Sequence, residues 1–355
     1  MRNAICIAGL LTITLTTACV VERETVTDRY GIEKTSTGDK NDPSASGDPA
    51  GATGGTGGST GGGTGSNDPA AAKGTLERPF PKARWLYEKI PASPVIDPQS
   101  AAMMKNLNSG AHGIALNEFG IPLYAADATT PKAPVTCTQQ GWGDCAYVKS
   151  GAVPLTAAFM PHTGSDGAMV VVDTVTRKVD EYWQFKWNNG APTTTWGFIS
   201  DLDGDGLQSQ ATGSGVSRAA GITRAKEIAA GAIDHALVFS TSFCKTDAHR
   251  APAWKDDGKY GGVGGVPEGA RVQIDPSLNP DSYGLNKAER AVMIALQTYG
   301  AYNIDCGGAP MAFSFEEVPG NPGADYAAAG LPYDFYDLAK LPWSSARVLA
   351  TWEGK

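Results

Sequence analysis

Asp201, Asp203 and Asp205 alternate along one short stretch and are followed by Gly206. Oxygen ligands at that spacing can converge on one hard cation, and the glycine permits a sharp turn. The twelfth position of the loop is Thr212, not Glu, so the stretch is not an EF-hand. Other parts of the chain would have to complete the shell, and the expectation is a structural Ca²⁺. Acid–base candidates come next. His235 stands in the apolar run Ile233-Asp234-His235-Ala236-Leu237, and an imidazole there must satisfy both nitrogens while titrating near neutrality. Cleavage of a glycosidic bond usually needs two carboxyl groups, one protonated and one ionised. Glu181, Glu316 and Asp166 are the leading partners for His235, with Asp173, Asp180, Asp234, Asp305 and Glu317 also on or beside strand-like runs. Glu181 shares an alternation face with Trp183, an apolar setting that would raise a carboxyl pKa.

These groups need elements to hold them. Residues 168–172 form a buried apolar run, and residues 179–187 alternate with aromatic side chains on one face. Further strand-like runs cover 233–241, 270–275, 301–305 and 311–317. Three helices are expected: one after Asp97-Pro98, ending before Gly110; one capped by Thr223 and stopped by Gly231; and one opened by Asn286 with Glu289 three residues later. Strands thus dominate and do not alternate regularly with helices. The fold class expected is mostly β, a β-sandwich or jelly-roll-like single domain with a few peripheral helices. On such strands Tyr182, Trp183, Arg271 and Gln273 would be the substrate-binding side chains of a cleft, Arg271 meeting a uronate if the reaction were a lyase.

The N-terminus has a different character. A short basic start and an apolar run precede Cys19, so residues 1–18 are read as a signal peptide and Cys19 as a lipid-attachment site. Residues 19–75, rich in Gly, Ser and Thr, are read as a disordered tether, leaving 76–355 as one β-rich globular domain. The expected location is therefore exported: an outer or cell-surface membrane lipoprotein, or a secreted protein if Cys19 is not acylated. Spacing alone permits three pairings of Cys137, Cys145, Cys244 and Cys306; the one expected closes the short Cys137–Cys145 loop and joins Cys244 to Cys306. A formal net charge of −8, with no Lys/Arg cluster, argues against nucleic acid as a partner. The Gly-rich stretches lack the Lys and helix start of a phosphate cradle, which argues against nucleotides. Gly213-Ser214-Gly215 likewise lacks the strand–turn–helix setting of a serine nucleophile.

The series SDGAMVVVD, DLDGDG, ATGSGVSRAAG, IDHALVFST, PEGARVQIDP and YGAYNIDCGGAPMAF resembles a family of exported bacterial proteins of unassigned activity. The resemblance runs from Val95 to Trp352 and implies one exported domain; it carries no catalytic residues. The function expected from the residues is a carbohydrate-active protein, a hydrolase or lyase acting on an extracellular polysaccharide through a His and carboxylate set. Contact with the membrane would be through the lipid anchor alone. The alternative is a non-catalytic surface binding protein, sugar-binding or adhesin, with a structural calcium loop.

Overall fold

The computed structural model describes residues 73–139, 141–143, 145–320, 324–332 and 334–355, together with a short pairing of Val26–Thr27 against Glu33–Lys34. The segment read as a signal peptide, Cys19 and the expected tether as far as residue 72 lie outside the described residues, that pairing apart.

The chain from Lys73 onward is mostly strand, with few helices. One sheet has the order Tyr336–Asp337, His112–Ile114, Met311–Phe313, Leu237–Thr241, Ala301–Cys306, Arg271–Ile274 and Ala346–Val348. A second runs Trp196–Asp201, Lys178–Trp183, Met169–Asp173, Ile121–Ala126 and Glu316–Glu317. Leu123, Val170, Val172 and Val179 of the second sheet share a buried cluster with Val238, Tyr302 and Ile304 of the first. Burying each such side chain contributes roughly 1.5–3 kcal/mol, so this shared layer binds the sheets face to face. Phe239, Val272 and Ile274 point the other way, onto Met103, Leu107, Ile228, Val292 and Leu296 of the helices.

Both sheets mix parallel and antiparallel neighbours. Leu237–Thr241 and Ala301–Cys306 run parallel, and the helix Lys287–Thr298 lies in the connection between them. Its start follows the expected chemistry: Asn286 Oδ1 accepts the Glu289 N–H while Glu289 Oε2 accepts the Asn286 N–H, both at 2.8 Å. The helix Ala225–Ala230 is capped at Arg224, one residue later than Thr223, because Glu227 reaches back to the Arg224 N–H at 2.9 Å. The disulfides are Cys137–Cys145 and Cys244–Cys306. The second ties the region just past one central parallel strand to the end of the other.

Two expected strands are shorter than their sequence patterns. The 233–241 run is strand only from Leu237, which leaves His235 in the approach to it. The 179–187 run breaks at Trp183, where Gln184 takes φ 53°. Gln184 N–H donates to Asp166 O at 2.6 Å and Phe185 N–H to Gly167 O at 3.0 Å. Side-chain alternation could not reveal that break, yet it brings Asp166 beside Trp183.

Candidate functional site

Most of the polar side chains expected to line a cleft are sealed in the core. Glu181 is completely buried and accepts from the hydroxyls of Ser200 (2.5 Å), Ser209 (3.1 Å) and Ser217 (2.9 Å) and from the Arg218 N–H (2.7 Å). Arg271 is 1 % exposed. It donates to the carbonyls of Tyr299, Trp352 and Glu88, so it has no fork to offer a uronate. Gln273, equally buried, donates to Gln297 O and accepts from Arg347. Tyr182 stacks on Tyr147 with ring centroids 4.7 Å apart and is fully buried. Glu316 takes Arg224 Nη2 and the Ala225 N–H, each at 2.9 Å, at the start of a helix. For Glu181, Glu316, Arg271, Gln273 and Tyr182 the cleft expectation is corrected: alternation exposes the polar member of a strand only when one sheet face meets water, and both faces here are covered.

His235 pairs with neither Glu181 nor Glu316. One ring nitrogen, Nδ1, lies 2.8 Å from Ala236 O, and Nε2 lies 3.2 Å from Glu227 Oε2. Burial disfavours the imidazolium, and the Glu227 carboxylate, the Ala236 carbonyl and Asp234 together outweigh it, leaving the pKa above its ordinary value. The ring lines a recess with Arg78, Tyr87 and Arg224. With both nitrogens facing acceptors it has no free position from which to exchange a proton with a substrate.

The DLDGDG loop meets the chain where the tether expected from sequence ends. Asp203 accepts the Gly74 N–H at 2.7 Å and is held by Arg177. That ion pair, with the Gly74 contact, pulls its pKa down to about 2. Asp201 Oδ1 accepts the Asp203 N–H and Asp205 Oδ1 the Leu207 N–H, so each carboxylate serves its own turn. Among the described residues, the three do not bring their oxygens together within 4.8 Å of one another. Asp203→Ala is expected to cost about 1–3 kcal/mol through the loss of a charged hydrogen bond, and chelator to leave the native melting temperature unmoved. A fall of several degrees on adding chelator, measured by differential scanning calorimetry, would restore calcium to this loop.

The convergent groups lie elsewhere. Among the described residues Asp257, Glu268 and Asp305 each offer a carboxylate oxygen within 4.8 Å of the others. Asp305 closes the parallel strand Ala301–Cys306, and Glu268 ends Val266–Glu268 just ahead of Arg271–Ile274. Asp305 Oδ1 accepts the N–H groups of Gly213 (3.0 Å) and Cys306 (3.1 Å), and Oδ2 lies 3.6 Å from Arg218. Glu268 is fully buried; Oε2 takes the Asp257 N–H at 3.0 Å, while Oε1 has no partner. Gly213 presses its Cα against this pair. A Cβ there would stand 2.5 Å from both Asp257 Oδ1 and Glu268 Oε1.

Crowded carboxyl groups cannot all ionise. Burial, then the charge of Asp257, pushes Glu268 up to about 9. Burial lifts Asp305 to about 6 against the pull of Arg218. Asp257 is raised as well, by burial, with Lys255 and Lys259 opposing. At pH 7 Glu268 therefore keeps its proton. Arg218 and Lys255 lie alongside as the neighbouring cations. Glu268 also lies near Cys244 and Cys306, but those sulfurs are bonded to each other and are not ligands.

The trio extends into a longer strip. Asp166 is within electrostatic reach of Asp305 and of His162, and its Oδ1 accepts Trp183 Nε1–H at 3.3 Å. Burial and Arg218 bring His162 down to about 4, so it is neutral. Over Trp183 lies Trp142, centroids 5.8 Å apart and 58 % exposed, carried on the Cys137–Cys145 loop. At the trio Trp254, 41 % exposed, donates through its N–H to Ser214 O and through Nε1 to Gly215 O. Trp142 thus lies against Trp183, the partner of Asp166, and Trp254 is fastened to the turn whose Gly213 N–H holds Asp305.

Searches against protein-family models, curated proteins and solved structures return no match to this chain. Of the residues expected from sequence, Asp166 and Trp183 fall in the strip. Asp305 belonged to the wider set of carboxylates, while Asp257 and Glu268 were missed. Lys255-Asp256-Asp257-Gly258 reads as a Gly-rich surface loop. The usable signal was Cys306: its disulfide to Cys244 draws Asp305 and the chain that follows Cys244 into one place.

Proposed function

We propose that this is an exported protein that binds a polysaccharide chain along the tryptophan-flanked strip and hydrolyses it. The observation that carries the reading is the spacing of Asp257 and Asp305, whose oxygens come within 4.8 Å at a place where Asp257 is exposed and Asp305 partly so. An approach that close is shorter than the roughly 6.5–9.5 Å an inverting pair keeps for its water, and it fits the retaining arrangement. Asp305, with a pKa of about 6, is the proton donor: its proton passes to the glycosidic oxygen as the C–O bond breaks. Asp257, whose ionised form Lys255 and Lys259 favour, attacks the anomeric carbon to give a glycosyl ester. Water then cleaves the ester, its proton returning to Asp305, and the sugar leaves with its configuration retained. Glu268 touches neither bond. It is a positioning residue that holds Asp257 by its N–H and adds no charge at neutral pH. Pyranose rings stack on indoles, which is the role of Trp142, Trp183 and Trp254.

Export is supported by the N-terminal run before Cys19 and by two disulfides of the kind that persist in oxidising compartments. A lipid on Cys19 would hold the domain at the membrane by its tether. The deciding experiment measures new reducing ends over a panel of neutral, amino-sugar and uronate polysaccharides near pH 5.5, with unsaturated uronate read by absorbance. Reducing ends without absorbance are expected. Absorbance growth would make the protein a lyase. Binding with no products would leave a non-catalytic glycan-binding surface and end the hydrolase reading.

A further inference from the structure

We infer that the strip selects a polymer of 2-amino sugars, a cationic glycan, over neutral and anionic ones. The inference rests on the glycan reading above and adds the substrate class. Glu268 and Asp305 carry protons here at the pH of the reaction, so Asp166, Asp256 and Asp257 are the carboxylates set against Arg218, Lys255 and Lys259. The cations are largely committed. Arg218 donates to Ala211 O at 2.7 Å and faces Asp305, Lys255 is set among Asp257, Asp305 and Glu268, and Arg271 is sealed beneath. A uronate or sulfated chain would meet carboxylates and no open guanidinium fork. The anionic side of the strip is open by contrast. Asp257 is exposed and Asp166 half-buried, and the buried, unpartnered Glu268 Oε1 points into the same cluster.

Complementarity then works at two levels. The apolar faces of the sugar rings lie on Trp142, Trp183 and Trp254, which any pyranose chain can use. The 2-ammonium groups, spaced along the chain, fall between the rings against Asp166 and Asp257, which only an amino sugar can use. A charge-assisted hydrogen bond from ammonium to carboxylate is about twice as strong as a neutral one, whereas an N-acetyl group brings a bulky neutral amide to the same carboxylates. Because the carboxylates are partly exposed, salt should erase the preference.

The test is calorimetric binding to the full chain carrying Asp305→Asn, which prevents turnover under the hydrolase reading. Hexamers of glucosamine, N-acetylglucosamine and a uronic acid serve as probes at pH 5.5, in about 20 mM and about 0.5 M salt, across which the screening length shortens several-fold. The glucosamine hexamer is expected to bind about tenfold more tightly than the N-acetylated one at low salt. The difference should vanish at high salt and fall in an Asp166→Asn background that retains the native circular dichroism spectrum, with the uronate hexamer not binding. Equal affinity for the first two probes, or binding of the uronate, would overturn the inference. Cleavage is not read in this assay, so a protein that never cuts glycan can still satisfy it. Hydrolysis of neutral chains without any amine preference would sink this inference and leave the hydrolase standing.

Discussion

Asp305→Asn will lower kcat for glycan hydrolysis by roughly 10²–10⁴-fold, the usual contribution of a positioned general acid, and the protein will remain folded. The fold survives because both backbone donors on the Asp305 side chain, Gly213 N–H and Cys306 N–H, lie on Oδ1, and an amide oxygen accepts them equally well. Only the 3.6 Å approach to Arg218 is lost. Activity must also fall on both sides of a pH optimum. Asp305 works while protonated, so wild-type kcat/KM should fall as pH rises through about 6. On the acid side, activity should fall again as Asp257 gains its proton, and that limb lies above the ordinary carboxylate value because burial raises this group. Arg218 pulls the Asp305 pKa down, so Arg218→Met should carry the alkaline limb upward while Asp305→Asn removes it. A profile level from pH 5 to 8, or an Asn variant keeping a tenth of the wild-type rate, would refute the assignment.

The apolar 168–172 run, the alternating 179–187 run as far as Trp183, the three helices and both disulfides were legible because each rests on local chemistry: period, caps and loop length. What sequence could not supply was which sheet faces are covered. Glu181, Tyr182, Arg271 and Gln273 look like groove residues if one face of their sheet is wet, and like core residues if helices or a second sheet lie on top. The choice depends on contacts far apart in the chain. His235 misled for a related reason: its partner, Glu227, lies in the first turn of a helix whose start was read one residue early and not placed against it. The trio is harder still, since Asp257, Glu268 and Asp305 sit on three separate segments. Nothing local distinguishes the aspartate of a Lys-Asp-Asp-Gly loop from a solvated turn.

Glu181→Ala will destabilise the domain strongly. The carboxylate is fully buried, burial pushes its pKa up, and the Ser200 hydroxyl, the Arg218 N–H and the hydroxyls of Ser217 and Ser209 oppose that push. Those donors come from a strand of the second sheet and from the 209–218 loop, so this one side chain fastens the loop to the sheet. Truncation leaves a cavity and strands buried donors at about 1–3 kcal/mol each. Even with partial relaxation, a loss of about 3–5 kcal/mol is expected, as for breaking a buried charged pair, which at roughly 2–4 °C per kcal/mol lowers the melting temperature by about 10 °C. Glu181→Gln should fall between, because its amide nitrogen must face at least one of the same donors. The loop carries the consequence onward: Gly213 holds Asp305 and Arg218 faces it. A Gln variant folded at 25 °C is therefore expected to show reduced glycan hydrolysis with its alkaline limb displaced. An unchanged melting temperature in Glu181→Ala would mean the serines find water instead, and Glu181 would then be reachable from solvent after all.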